Sequence, residues 1–76
     1  MKIIDVRKFN NEILAVCHGE DLPLKTDCKS LLVGKKILSI KKYGSSISLT
    51  GNRTALISFN NVSNVSDIPL SDFVLK

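Results

Sequence analysis

Lys35-Lys36-Ile37-Leu38-Ser39-Ile40-Lys41-Lys42-Tyr43, Ser46-Ile47-Ser48-Leu49-Thr50 and Arg53-Thr54-Ala55-Leu56-Ile57-Ser58-Phe59 are three β-favouring runs, broken only by Gly44-Ser45 and Gly51-Asn52. Runs rich in β-branched and aromatic residues between Gly and Asn punctuation read as strands joined by turns, so residues 35–59 predict a three-stranded meander. In the middle run, apolar residues alternate with hydroxyls, which sends Ile47 and Leu49 to a core and Ser46, Ser48 and Thr50 to the other side. In the third, Ala55, Ile57 and Phe59 share one face and Thr54, Leu56 and Ser58 the other.

Upstream, Lys2–Lys8 and Glu12–Cys17 are two further β-type runs separated by Asn10-Asn11. Asn tolerates the positive φ of a tight turn, so these predict a hairpin. Ile13-Leu14-Ala15-Val16-Cys17 is apolar without alternation, as in a strand buried on both faces or a central strand of a small barrel. His18-Gly19-Glu20-Asp21-Leu22-Pro23 is a loop. Thr26 or Asp27 then caps a short helix through Val33 that stops at Gly34, with an irregular segment as the competing reading. Residues 60–66 are polar and turn-forming. In the tail, Pro69 bars a central strand while Ile68, Leu70, Phe73, Val74 and Leu75 demand burial. The tail is therefore expected to close an open side of the barrel or to dock on another copy.

These elements add up to one small domain over residues 1–76. It is mostly β, a partly open antiparallel barrel or curled sheet of about five strands with at most one short helix. A chain of 76 residues buries only about 60% of the surface it exposes unfolded, so self-association would add to a thin margin. At 43% hydrophobic and 24% charged the composition is that of a folding chain. Asp5 and Arg7 interrupt any apolar leader and no run reaches the roughly 18 residues of a span, so the expectation is a cytoplasmic protein without a membrane role. Asn52, Asn61 and Asn64 begin N-x-[ST] triplets, read here as turn chemistry.

Charge is segregated. From Cys28 to Ser66 there is no Asp or Glu, whereas that stretch holds Lys29, Lys35, Lys36, Lys41, Lys42 and Arg53 within a net charge of +4. With Leu38 and Ile40 inward, Lys36 and Lys42 fall at strand ends. Lys35 and Lys41 emerge beside Ser39, Tyr43 and Ile37, so that Lys35, Lys41 and Arg53 form a strip flanked by Tyr43. The candidate partner-binding residues are thus Lys35, Lys36, Lys41, Lys42, Tyr43 and Arg53. A like-charged patch steers a partner but performs no chemistry.

No catalytic constellation emerges. Cys17 and His18 are adjacent, and neighbours in a strand point to opposite faces, so the imidazole cannot activate that thiol. Cys17, His18 and Cys28 with Asp21 or Asp27 are metal-ligand types without metal-ligand spacing. Cys17 and Cys28 read as packed thiols in a reducing compartment, with a bridge between them as the alternative for an exported protein. Glu20-Asp21 sits in a loop where both carboxylates are solvated. Gly34-Lys35 lacks the upstream Gly and following Ser or Thr of a phosphate loop. No cofactor, metal, catalytic residue or small-molecule substrate is expected. Four aromatics, Phe9, Tyr43, Phe59 and Phe73, include no pair two apart that would stack bases.

The run Leu32-Val33-Gly34-Lys35-Lys36-Ile37-Leu38-Ser39-Ile40-Lys41-Lys42-Tyr43-Gly44, with Ile47-Ser48-Leu49 and Asn52-Arg53-Thr54-Ala55-Leu56, resembles the strand pattern of the N-terminal domain of formamidopyrimidine-DNA glycosylases over about a third of the chain. That family works through an N-terminal proline followed by glutamate, whereas Lys2 and Ile3 follow Met1 here, so the resemblance implies architecture and carries over no catalytic residue. The expected function is that of a non-enzymatic regulator, inhibitor or adaptor, which contacts another protein or its own copy through an exposed strand edge or the basic face. The alternative is sequence-independent nucleic-acid binding through the central lysines, which would neutralise phosphates.

Overall fold

The computed structural model describes residues 1–47, 49 and 51–76. Six strands, β1 (Lys2–Phe9), β2 (Glu12–His18), β3 (Ser30–Val33), β4 (Lys36–Ile47), β5 (Arg53–Phe59) and β6 (Phe73–Leu75), form one antiparallel sheet in the order β1-β2-β5-β4-β3-β6. The expected partly open, curled architecture is what the chain adopts, with the tail supplying a sixth strand and one 3₁₀ turn at Val65–Asp67. The outer strands meet at a single antiparallel bridge, Lys2 with Asp72, flanked by the hydrogen bonds Ile3 N to Ser71 O and Phe73 N to Met1 O, both 3.0 Å. Beyond it the seam stays unzipped, and Val6, Val65, Ile68 and Leu70 line a small groove there.

Asn10 (φ 50°) and Asn11 (φ 64°) both take positive φ, as a two-residue type I′ turn requires, and pair Phe9 with Glu12. The expected hairpin is present. The expected helix over 26–33 is not. Ser30–Val33 is strand, with Leu31 and Val33 buried and Leu32 between them half-exposed. Gly34 (φ 59°) turns β3 into β4 rather than stopping a helix. Four residues of helix would bury one side, whereas the extended form lets Leu31 and Val33 enter the core and supplies backbone partners on both flanks, β4 and β6.

Strand β4 departs from expectation in a second way, because it runs unbroken through Gly44-Ser45. Twelve residues would extend about 40 Å if straight, longer than the 33 Å long axis of the molecule, so the strand must bend. It does so at a β-bulge between Ile40 and Lys42: residues before it pair with β3 and residues from Ile40 onward with β5. Ser46 and Ile47 are consequently the end of β4 and not the start of a separate strand. Ile47 is 48% exposed and Leu49 lies fully in solvent, which corrects their expected place in the core; Ser48 and Thr50 lie outside the described residues.

The core takes Ile3, Ile13, Ala15, Cys17, Leu22, Leu31, Val33, Ala55, Ile57, Phe59, Ile68 and Phe73. The inward trio of β5 is as read from its alternation. Leu22 plugs one end, and the irregular segment that carries it is stitched to the sheet through three consecutive carbonyls. Arg53 donates to Leu22 O (2.8 Å), Tyr43 to Pro23 O (2.6 Å) and Ser45 to Leu24 O (2.8 Å). In the tail, Ile68 and Phe73 are buried and Leu75 half-buried, but Leu70 and Val74 are 59% and 50% exposed.

Candidate partner-binding face

The six candidate residues do not form one strip. Lys35 occupies the β3–β4 turn and is exposed; Lys36 opens β4 and donates from Nζ to Asp67 O at 3.1 Å. Lys41 sits in the bulge with Nζ 2.6 Å from Glu12 Oε1, and that ammonium holds the Glu12 carboxyl below its ordinary range, with Lys42 adding a weaker pull. The bulge adds one residue on β4 and so reverses the facing beyond it. Lys42 goes outward, and Tyr43, expected on the outer face, turns in against the core. Burial raises the Tyr43 phenol above its ordinary value. Tyr43 and Arg53 are thus occupied in anchoring the 22–24 segment. Among the described residues no carboxylate pairs with Lys35 or Lys42.

Between the bend of β4 and residues 26–29 lies an open polar groove of about 480 Å³, where Lys29, Lys41, Tyr43 and Asn60 converge with Asp27 and Cys28. It carries both signs of charge, and the lysine best placed in it already holds Glu12. Among the described residues no cluster of His, Cys, Asp and Glu could hold a metal. Cys17 and Cys28 are free thiols. Burial pushes the Cys17 thiol up to about 12, so it stays protonated and unreactive at neutral pH.

The outward surface holds what sequence reading missed. On the β6-β3-β4 side, Leu32 pairs with Val74 on one flank and Ile37 on the other. Strict pairing aligns their side chains in one row pointing away from the core, with Ile37 65% and Val74 50% exposed. Alternation in β3 would have signalled it, but the Leu31-Leu32-Val33 triplet hides its period. On the other side, Val16 of β2 pairs with Leu56 of β5, and Leu56 is 51% exposed.

The free edge of β1 is guarded. A bulge lies between Ile3 and Asp5, and Asp5 caps the N–H of Val6 through Oδ1 (2.9 Å) while Oδ2 accepts from Arg7 Nε (2.7 Å). In a two-residue hairpin closed by Phe9 and Glu12, the alternation of paired positions turns the Val6 N–H away from β2. The donor that an added strand would need is therefore taken, and charged side chains flank it.

Comparison with known protein families, curated proteins and solved structures found no match. The resemblance to the glycosylase domain rests on its strand pattern alone. No helix among the described residues is long and apolar enough to cross a membrane.

Proposed function

We propose that this chain is a small non-enzymatic binding protein that acts by contact with another protein, through the outward surface of β3–β6 and not through a strand edge. The observation that carries this reading is the in-register row Val74–Leu32–Ile37. Single exposed aliphatics are ordinary on any surface, whereas adjacent ones across three strands form a contiguous patch of the kind that partners cover. Fully burying an aliphatic side chain of this size is worth about 1.5–3 kcal/mol, of which covering the exposed half to two-thirds of Val74 and Ile37 recovers the corresponding share. Lys35 in the adjoining turn has no carboxylate partner among the described residues, and with a net charge of +4 the complement is an acidic surface, which speeds encounter and fixes orientation.

Phosphate contact is the second reading, supported by Lys35 and Lys42, which stand without carboxylates among the described residues. It is the weaker one. Glu12 occupies Lys41, and Phe9 is the one aromatic of the four that is largely exposed, so successive bases have no stacking platform.

The test is capture from nuclease-treated lysate of the source cells on immobilised wild-type chain and on Ile37→Asp, read by mass spectrometry. The expected result is a protein retained by the wild type after nuclease treatment and lost on the variant. Retention that vanishes with nuclease, or that ignores Ile37→Asp, would overturn the reading.

A further inference from the structure

Gly44 lies inside β4, faces outward and pairs with Leu56 of β5. Its backbone is not in the positive-φ region, so no turn geometry requires glycine there. Glycine within a strand costs roughly 0.5–1 kcal/mol relative to alanine, and a common reason for tolerating it is the close approach of a ligand or another chain. A Cβ added at Gly44 would meet nothing within 4 Å. An open notch of about 350 Å³ lies over this position, lined by Gly44, Ser45, Ser46, Thr54 and Leu56, with Leu56 its one aliphatic lining residue.

Charge beside the notch selects the occupant. Lys42 is two residues before Gly44 on the same outward face, and Lys41 and Lys42 share the single carboxylate of Glu12, which hydrogen-bonds Lys41. Among the described residues Lys42, two positions from Gly44, is left without an ion-paired carboxylate. A second copy of this chain, at net charge +4, is repelled as a whole, which favours an acidic segment of a different protein. We propose that the Gly44 notch seats one apolar side chain from an acidic segment of another protein, with a neighbouring carboxylate of that segment meeting Lys42. This rests on the protein-contact reading above and specifies the chemistry recognised.

The test is selection of binders from a displayed library of random peptides on the wild-type chain, followed by affinities for Gly44→Val, Lys42→Glu and Ile37→Asp. The Cβ of Gly44→Val meets nothing within 4 Å, the branched side chain takes up the floor of the notch, and strand propensity rises, so its melting temperature should equal or exceed that of the wild type and a loss of binding cannot be ascribed to unfolding. Selected peptides should carry a large apolar residue close to Asp or Glu. Their affinity should fall at least about tenfold on Gly44→Val, as for a hot-spot contact, and several-fold on Lys42→Glu, while Ile37→Asp leaves it unchanged. Binders that respond to Ile37→Asp but not to Gly44→Val would remove the notch and leave the protein-contact reading standing. Binders indifferent to both, or none, would sink both. A wild-type dimer by light scattering that Gly44→Val dissolves would make a second copy the occupant and overturn the proposal.

Discussion

Replacing Ser58 by alanine should make this protein more stable. Ser58 points to the outward side of β5 yet is 2% exposed. Register sets it between Leu14 of β2 and Lys42 of β4, and the Glu12–Lys41 pair reaches from β2 to β4 across the same strand. Its Oγ finds no hydrogen-bond partner among the described residues. A hydroxyl removed from water without a partner costs about 1–3 kcal/mol. Alanine removes that cost and leaves a gap of one oxygen atom, against which stands a lower strand propensity of a few tenths of a kcal/mol. The balance is a gain of about 1 kcal/mol, or roughly 4–8 °C in melting temperature for a domain of this size. Urea unfolding followed by circular dichroism reads it as a higher midpoint at unchanged slope. Ser58→Thr keeps the hydroxyl and should gain nothing. A lower midpoint for Ser58→Ala would show that Oγ is bonded in the folded protein and would refute the reasoning.

Cys17 should be inert to a chromogenic thiol probe in the native protein and react only in urea, whereas half-buried Cys28 reacts natively; native labelling of both would contradict the packing. The Cys17 thiol titrates at about 12 folded against an ordinary 9.0, so its contribution is intact below the unfolded value and is lost as pH rises through that window. The slope is about 1.4 kcal/mol per pH unit, which Cys17→Val should flatten in alkaline melts. Glu12 runs the other way. Its folded value is lowered by the Lys41 hydrogen bond, so the stability it adds is present above the ordinary carboxylate range and fades as pH falls through the folded value; Glu12→Gln should flatten the acid limb of a melting series. Asn11, at φ 64°, should cost about 1–2 kcal/mol when replaced by alanine, because a Cβ without a compensating polar group is strained in that region; Asn11→Gly should cost nothing in the same urea melts.

Sequence carried the fold where the signal was local. Asn10-Asn11 announced its turn through backbone tolerance, and Ala55, Ile57 and Phe59 announced their face through a period of two. It failed where distant pairing decides. Leu31-Leu32-Val33 has no period of its own, and β4 and β6 on either side make it a strand. Gly44-Ser45 looks like a break, yet it continues β4 because the bend falls earlier, at the bulge where β4 exchanges β3 for β5. That bulge is also why the charged strip could not be read. The Lys and Arg count was legible, but a one-residue insertion turned Tyr43 inward, and Arg53 serves a carbonyl 31 positions away. The apolar rows on the outer surface are products of cross-strand register, which no single run displays. Glu12 returning to Lys41 narrows the electrostatic case to cations without a carboxylate among the described residues, Lys35 and Lys42 included.

Amide chemical-shift mapping of the isotope-labelled chain, titrated with the protein captured on it, locates the contact directly. The expected shifts cluster on outward β3–β5 positions, Leu32, Ile37, Lys42, Gly44 and Leu56. Shifts confined to the Arg7–Phe9 edge or to the 26–29 groove would contradict a partner held on that surface.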